Sequence, residues 1–338
     1  MKQQWIYWIA ATKVDSTGTN VHIIRGSLMR SGNRRFGGTV AATLALAGIP
    51  ATATAAHARQ VVNVPCSTPS LISAINTANT AGSGTLLLAS HCTYLLTTSN
   101  GVGRGPDGLP LITGNLNLIG GNSTTIARSS TAVAFRIVEV ASGAVLGLRN
   151  LFISGGNADA TIPTNDTGGG ILNSRGTVLL NHVTLTGNTA DSGAGFSNDS
   201  GRVDVANTLV QNNTTRAGGG GGGGFYNDGS LTIEFSILRA NHANTTGGGI
   251  YNGQGGRAQF VNVTADANTA GTNGGAFFNA TDGRLTLIRT LVNRNIATSG
   301  GGIFNAAIVG RVSLVTSIVT TNAPNNCAPP GSVPGCIG

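Results

Sequence analysis

Two consecutive stretches, GGGIYNGQGGRAQFVNVTADANTAGTN (residues 247–273) and GGAFFNATDGRLTLIRTLVNRNIATSG (residues 274–300), share a length of 27 residues and one order of residue types. Each begins with small residues, followed by an apolar residue and, two positions later, an asparagine. Apolar residues then alternate at period two until a second asparagine appears. Alternation at period two predicts β-strands, whereas a helical repeat would show a period of 3.6 residues.

The same columns extend over six repeats. The first asparagine column contains Asn173, Asn198, Asn227, Asn252, Asn279 and Asn305. The second contains Asn188, Asn213, Asn241, Asn268, Asn295 and Asn322, at intervals of 25, 28, 27, 27 and 27 residues. Self-similarity at such a period is the signature of a solenoid.

The identical order of columns decides how the strands pair. A hairpin meander would reverse the order in alternate repeats, so successive repeats must instead stack in parallel, about 4.8 Å apart. Like residues then lie on like residues, and we expect the second asparagine column to form a ladder of side-chain amides at one corner. Asparagine also tolerates the left-handed backbone that we expect at such a corner.

The repeats become less regular toward the N-terminus, which suggests a division of the chain. Thr68 and Pro69 can start a short amphipathic helix, with Leu71, Ala74, Ile75 and Ala78 on one face. We therefore expect an N-terminal cap over residues 59–98, the solenoid over residues 99–326 and a C-terminal lid over residues 327–338. The seven glycines 218–224 are interpreted as a flexible insertion at one corner.

The N-terminal residues resemble an export signal. Residues 29–35 carry three arginines, residues 39–49 are apolar and small, and Ala56-His57-Ala58 fits the cleavage rule. We predict a signal peptide over residues 29–58, cut before Arg59, with residues 1–28 as a non-native extension upstream of Met29. The protein is therefore expected to be secreted.

Four cysteines remain after this cleavage, and four allow three disulfide connectivities. Export favours disulfides over free thiols. Since a long stack keeps its two ends apart, we predict the local pairs Cys66–Cys92 and Cys327–Cys336; a four-thiolate metal site would require both ends to meet.

The net charge of +8 gives little support to nucleic-acid binding. Residues 1–58 hold 6 basic residues against 1 acid, or +5, and residues 59–338 hold 14 against 11, or +3. No aromatic-rich basic motif accompanies the charge, and no apolar stretch of about 18 residues follows the leader, so we expect neither a nucleic-acid partner nor a membrane span. We expect a monomer.

The run Gly-Gly-Gly-Ile-x-Asn, followed by the strand columns and the second asparagine, resembles secreted actinobacterial right-handed parallel β-helix repeat proteins. It is also similar to the repeats of polymorphic outer-membrane proteins and, more distantly, to the pectate-lyase-like superfamily. The segments VNVPCSTPSLISAINTAN (residues 61–78) and NNCAPPGSVPGCIG (residues 325–338) look like the two ends of the actinobacterial group. The resemblance implies an all-β, single-stranded right-handed parallel β-helix with a short capping helix, and it implies almost nothing about function.

Catalytic residues are hard to find in this sequence. The resemblance to pectate lyases and polygalacturonases would imply Asn-Thr-Asp, Asp-Asp or Gly-His-Gly motifs, and none occurs. Residues 59–338 contain no lysine and two glutamates, Glu139 and Glu234. Asp199 and Asp228 follow corner asparagines on successive coils and could bind a cation or act in catalysis, although Asn-Asp is also ordinary turn chemistry. We expect no metal site from the scattered histidines, and no cofactor.

Two outward columns are candidates for binding. The position before the first strand column holds Thr177, Arg202, Ser230, Arg257, Arg284 and Arg311. These arginines are either solvated surface residues or a basic stripe for an anionic polysaccharide or cell-wall polymer. The other column contains Thr184, Leu209, Ile237, Thr264, Leu291 and Ile318, and its apolar members Leu209, Ile237, Leu291 and Ile318 could meet a partner or lie under a loop.

The sequence therefore predicts a secreted β-helix with a non-enzymatic surface, adhesion or glycan-binding role. The alternative is a polysaccharide lyase or glycoside hydrolase that acts on an acidic polysaccharide. Three or more carboxylates gathered on one face would favour the enzyme.

Overall fold

The structure is a computed structural model that describes residues 12–14, 21–23, 61–158 and 166–337. The chain divides into two compact units, residues 1–55 and 56–338. In the first unit, β1 (Thr12–Val14) and β2 (Val21–Ile23) pair antiparallel. The predicted signal peptide and its cleavage site lie outside the described residues.

The second unit is an all-β parallel solenoid of about 10 turns, which confirms the predicted fold class. Its one helix among the described residues is α1 (Thr68–Thr80). Its first strands are β3 (Val61–Val64), β4 (Ser83–Leu88), β5 (Thr93–Leu96), β6 (Gly101–Val102), β7 (Pro106–Asp107), β8 (Asn115–Ile119), β9 (Thr125–Arg128), β10 (Val138–Val140), β11 (Val145–Ser154), β12 (Ile171–Ser174), β13 (Thr177–Thr186), β14 (Thr189–Ala190), β15 (Phe196–Asp199), β16 (Arg202–Ala206), β17 (Leu209–Gln211) and β18 (Thr214–Thr215). The remaining strands are β19 (Phe225–Asn227), β20 (Ser230–Glu234), β21 (Ile237–Arg239), β22 (His242–Ala243), β23 (Ile250–Asn252), β24 (Arg257–Val261), β25 (Thr264–Asp266), β26 (Thr269–Ala270), β27 (Phe277–Asn279), β28 (Arg284–Ile288), β29 (Leu291–Asn293), β30 (Ile303–Asn305), β31 (Val312–Val315), β32 (Ile318–Thr320) and β33 (Cys327–Ala328).

Three long faces run along the solenoid. Face A contains β3, β4, β8, β11, β13, β16, β20, β24, β28 and β31. Face B contains β5, β9, β11, β13, β17, β21, β25, β29 and β32; β11 and β13 each cross from face A to face B. Face C contains β10, β12, β15, β19, β23, β27, β30 and β33, and a fourth, short sheet contains β14, β18, β22 and β26.

The register agrees with the predicted columns. Ala258 pairs with Leu285 and Phe260 with Leu287 on face A, and Ala265 pairs with Val292 on face B. These side chains are at most 4% exposed, and they belong to a core that extends from Val64 to Val333. The solenoid interior is therefore the protein's hydrophobic core.

The second asparagine column forms the predicted ladder. Asn241 Nδ2 donates to Asn268 Oδ1 at 3.0 Å, and Asn268 Nδ2 donates to Asn295 Oδ1 at 3.0 Å. The first column forms a ladder as well, with Asn252 Nδ2 donating to Asn279 Oδ1 at 2.8 Å. Buried amides on successive coils thus satisfy one another.

The reason expected for asparagine at the corner is wrong, because the ladder asparagines do not adopt the left-handed conformation. The residue before each rung does so, with φ between 52° and 63°. These residues are Gly187, Asn212, Ala240, Ala267, Arg294 and Thr321. Asparagine is therefore required at the ladder for its hydrogen bonds and not for its backbone preference.

The predicted capping helix is present at residues 68–80, within the segment expected as a cap. Its N-cap is Ser67, one residue earlier than expected, with Pro69 in the first turn. Leu71, Ile75 and Ala78 are buried on one face. The same segment also contributes β3, β4 and β5 to faces A and B.

Both predicted disulfides are present, Cys66–Cys92 and Cys327–Cys336. The first joins Cys66, just before α1, to Cys92, just before β5. The second closes a loop of the C-terminal segment that contains the buried Val333. The lid strand β33 pairs with β30 of face C.

The ladder predicts a large effect of a single amide. In Asn268→Ala, the Asn241 amide and the carbonyl of Leu238 lose partners inside the core. We expect a loss of about 2–4 kcal/mol in the free energy of unfolding, since buried donors and acceptors are left unsatisfied. Urea denaturation measures this loss.

The control is Gln254→Ala, at an exposed turn. We expect it to change stability by less than about 0.5 kcal/mol. Equal effects of the two substitutions would show that the ladder does not stabilise the fold.

Candidate functional site

The predicted arginine column lies on the outer surface of face A. Arg257 pairs in register with Arg284, and the backbone N–H of Leu285 donates to the carbonyl of Arg311 on the next coil. Arg257 and Arg284 are exposed and Arg311 is half-buried. Three guanidinium-bearing residues therefore occupy successive coils about 4.8 Å apart.

No carboxylate within the described residues forms an ion pair with these three arginines. Asp282, the acid nearest in sequence to Arg284, is exposed and does not neutralise it. Arg202 differs, because its Nε lies 2.9 Å from Asp204 Oδ2 and Ser230 separates it from Arg257. Within this column, the arginines without an acidic partner among the described residues are therefore Arg257, Arg284 and Arg311.

Beside the arginines, the outward side chains of face A change from polar to apolar toward the C-terminal end of each strand. The next column, toward the C-terminal end of each strand, contains hydroxyl and amide groups from Thr232, Gln259, Thr286 and Ser313. The column after that contains Val261, Ile288 and Val315. A shallow cavity of about 260 Å³ lies between Arg257, Arg284, Gln259 and Thr286. We call the residues of these three columns on three successive coils the basic face: Arg257, Gln259, Val261, Arg284, Thr286, Ile288, Arg311, Ser313 and Val315.

The predicted acidic pair, Asp199 and Asp228, lies at the edge of face C. Asp199 pairs in register with Ser174, and the backbone N–H of Asp228 donates to the Asn198 carbonyl on the adjacent coil. The structure adds Glu139, whose carboxylate accepts from Ser174 Oγ at 2.8 Å. Glu139, Asp199 and Asp228 therefore gather on one side of the solenoid, and we call them the carboxylate cluster.

Arginines neutralise part of this cluster. Arg104 Nη1 lies 2.5 Å from Asp199 Oδ2, and the Arg104 backbone N–H donates to Glu139 Oε2 at 2.7 Å. Arg136 Nη1 also donates to Glu139 Oε2, at 2.8 Å. Beside these residues lies a cavity of about 480 Å³ lined by Arg104, Glu139, Arg175 and Asp199 among others.

Asp107 lies beneath the cluster and is completely buried. Its closest cationic group is Arg136, whose Nη1 lies 3.4 Å from Oδ1, and neither carboxylate oxygen accepts a hydrogen bond of ordinary geometry. Burial raises the pKa of Asp107 to about 7; Arg136 lowers it, the charge of Glu139 raises it, and the nearby backbone N–H of Gly103 lowers it.

Asp228 is the other carboxyl group whose acidity is shifted. Burial and the charge of Asp199 raise the pKa of Asp228, and a hydrogen-bonding contact with the Tyr226 hydroxyl lowers it. Burial and the neighbouring Asp228 in turn raise the pKa of Tyr226. Partial burial and the neighbouring Asp199 carboxylate therefore both favour the protonated form of Asp228.

Tyr226 begins a stack of four rings on face C that the sequence interpretation missed. The centroids of Tyr226 and Tyr251 are 4.9 Å apart, those of Tyr251 and Phe278 5.0 Å, and those of Phe278 and Phe304 5.5 Å. The rings are within 14° of parallel, so each covers its neighbour's face. The stack stabilises the coils and leaves mainly ring edges for a ligand.

The glycine run contributes to this packing, contrary to its interpretation as a flexible insertion. Gly222, Gly223 and Gly224 accept from Ala194, Gly195 and Phe196 as regular members of the coil. A Cβ at Gly221 would lie 2.5 Å from Tyr251 Cδ2. Glycine is therefore needed where the backbone approaches the ring.

The predicted apolar column lies on the outside of face B. Leu209 pairs with Ile237, and Leu291 with Ile318. Ile237 is 44% exposed and Ile318 is 61% exposed, with Thr264 between Ile237 and Leu291. The hydroxyl of this threonine interrupts the apolar strip.

Metal ligands do not gather in the part of the chain that the structure describes: no group of three or more His, Cys, Asp or Glu side chains has a metal-binding arrangement. Nor does any helix of residues 61–158 and 166–337 combine the length and hydrophobicity of a transmembrane segment. Comparisons with protein-family models, curated proteins and solved structures gave no match to the chain. The resemblance to actinobacterial repeat proteins thus stays a prediction.

The carboxylate cluster predicts a measurable change when the tyrosine hydroxyl is removed. Because the Tyr226 contact lowers the pKa of Asp228, Tyr226→Phe should raise the pKa of that carboxyl. Carboxyl ¹³C NMR titration measures the change. Tyr251→Phe, which keeps the ring stack and the Tyr226 contact, should leave Asp228 closer to the wild type; the opposite order would contradict the assignment.

Proposed function

We propose that the protein is a secreted, non-enzymatic binding protein that holds an anionic polysaccharide on its basic face. The observation that carries this proposal is the row Arg257, Arg284 and Arg311, stacked on successive coils without an acidic partner among the described residues. Like charges this close repel, and the bound anionic groups of a polymer would relieve that repulsion.

The chemistry of the basic face suits a sugar acid. Guanidinium groups bind carboxylates or sulfates through paired hydrogen bonds. Gln259 and Thr286 offer amide and hydroxyl groups to sugar hydroxyls, and Val261 and Ile288 offer apolar contacts to the C–H faces of a sugar ring. A polymer lying along the solenoid axis could repeat these contacts from coil to coil.

The stacking of the arginines supports a binding role. Arg149, Arg175, Arg239 and Arg289 are exposed and also form no ion pair with a described carboxylate. Arg257, Arg284 and Arg311 differ from them because they occupy one column on successive coils. The basic face also lacks the paired carboxylates that glycoside hydrolysis uses.

The two disulfides support a role outside the cytosol without identifying the ligand. Both cysteine pairs of the solenoid unit are disulfides. Disulfides persist in oxidising compartments outside the cytosol, where polysaccharides are abundant.

The test is retention on an immobilised uronate polymer at low and high ionic strength. We expect the wild type to be retained at low salt and released at high salt, since the contacts are screened charge pairs. Arg257→Gln, Arg284→Gln and Arg311→Gln combined should abolish retention.

The matched control combines Arg149→Gln, Arg175→Gln and Arg239→Gln, three exposed arginines outside the basic face. It removes the same charge and should keep most of the retention. If both triple variants behave alike, net charge and not the basic face explains binding; retention by neutral and anionic polymers alike would also overturn the proposal.

The second candidate function is cleavage of an acidic polysaccharide at the carboxylate cluster. It is favoured by the gathering of Glu139, Asp199 and Asp228 on one side and by the raised pKa of Asp228, as a general acid requires. Arg104 engages Asp199 in this structure, which limits the freedom of that carboxylate.

We expect no depolymerisation of pectate or polygalacturonate, with or without Ca²⁺. Chain length after incubation, followed by size-exclusion chromatography, decides the matter. Cleavage by the wild type that disappears in Asp228→Asn and Asp199→Asn, but persists in Asp282→Asn, would establish the enzyme instead.

A further inference from the structure

One hairpin departs from the parallel stacking of the solenoid. β6 and β7 pair antiparallel, with Gly101 opposite Asp107 and Val102 opposite Pro106. The hairpin is anchored at its base, where Asp107 forms a parallel bridge with Arg136 and the Gly108 N–H donates to the Arg136 carbonyl. Its tip, residues 103–105, extends over the edge of face C.

The tip bridges distant coils. The Arg104 backbone and side chain contact Glu139 on β10 and Asp199 on β15, a sequence separation of 95 residues for the Asp199 contact. A Cβ at Gly103 would lie 2.2 Å from Glu139 Oε2, so only glycine permits this approach. The hairpin therefore covers Glu139, which is 2% exposed.

The hairpin rests on a buried group of charges. Asp107 and Glu139 both face the guanidinium of Arg136, which is itself completely buried. Glu139 accepts from Arg136, Ser174 and the Arg104 backbone, whereas the oxygens of Asp107 accept no hydrogen bond of ordinary geometry and have only the looser approach of the Gly103 N–H. Asp107 is thus the carboxyl group that the closed hairpin solvates worst.

We propose that the hairpin of residues 99–108 is a proton-controlled strap, closed over Glu139 and Asp199 while Asp107 is protonated and opened when Asp107 ionises. Burying an ionised carboxylate without well-formed hydrogen bonds costs free energy, and opening the hairpin admits the water that solvates it. The closed strap therefore binds a proton at Asp107, and the open strap releases it.

The direction of the pH dependence follows from this linkage. The pKa of Asp107 is about 7 in the closed state against 3.8 for the unperturbed group. Between these values the closed strap holds a proton that the open strap does not, so closure weakens as pH rises through that window. Above it, both states are ionised and closure stops changing.

Charged groups from several elements surround Asp107. Arg136 lies beside it, Glu139 comes from β10, Arg104 from the tip, and Asp199 from β15 through Arg104. Burial is the largest influence on Asp107 and favours its neutral form, as Glu139 does, whereas Arg136 and the Gly103 backbone N–H favour the ionised form. The balance favours the neutral carboxyl group in the closed state.

Hydrogen–deuterium exchange of the peptide containing residues 99–108 tests the strap, at pH 5 and pH 8 after correction for intrinsic exchange rates. We expect protection in the wild type to fall by about tenfold or more between the two values. Asp107→Asn, which cannot ionise, should keep similar protection at both.

The matched control is Asp204→Asn, a carboxylate outside the hairpin and paired with Arg202. It should follow the wild type. Equal protection of the wild type at both pH values, or an unchanged pH response in Asp107→Asn, would overturn the proposal.

A second measurement needs no variant and covers the case in which Asp107→Asn fails to fold. The Asp107 carboxyl ¹³C signal of the wild type should titrate near neutrality, together with the amide signals of Gly103 and Arg104. A normal acidic titration, or amide signals that ignore it, would equally exclude the strap. Neither outcome depends on polysaccharide binding.

Discussion

The register of this solenoid depends on side-chain amides that only the next coil can satisfy. Asn268 Nδ2 donates to the Leu238 carbonyl and to Asn295 Oδ1, and its own Oδ1 accepts from the backbone and side chain of Asn241. A shift of one residue would turn every rung away from its neighbours and leave buried amides unsatisfied. The ladders thus restrict the register of the strands more strongly than apolar packing alone would.

A fixed register places equivalent outer side chains in columns, with consequences that depend on their chemistry. The rings of Tyr251 and Phe278 attract each other in such a column. Arginines in a column repel, and Arg257 and Arg284 are placed in register without an acidic partner among the described residues. Their repulsion follows from the register of the fold, and the proposed anionic ligand would reduce it.

Most of the features that the sequence predicted correctly are ones that repeat along the chain, although some repeating features were missed. The strand columns, the ladder and both disulfides were predictable because each appears as a spacing. The ring stack was also visible, since Tyr226, Tyr251, Phe278 and Phe304 all lie between an apolar position and a ladder asparagine. The left-handed corner was not, because Ala240 and Ala267 have no preference for that conformation and adopt it where the ladder bonds impose it.

The strap differs from these features because no regular spacing in the sequence predicts it. Arg104 meets Asp199 across 95 residues, and Asp107, Arg136 and Glu139 lie in coils that lack the repeat. Stability alone gives little reason for this arrangement, because an uncharged side chain at position 107 would avoid burying a carboxylate that accepts no hydrogen bond of ordinary geometry. Elsewhere the interior of the solenoid satisfies its asparagines coil by coil. A buried carboxyl group beneath a hairpin that departs from the repeat indicates a functional constraint there. Proton-dependent closure is a constraint that requires this buried carboxyl group and this bridging arginine together.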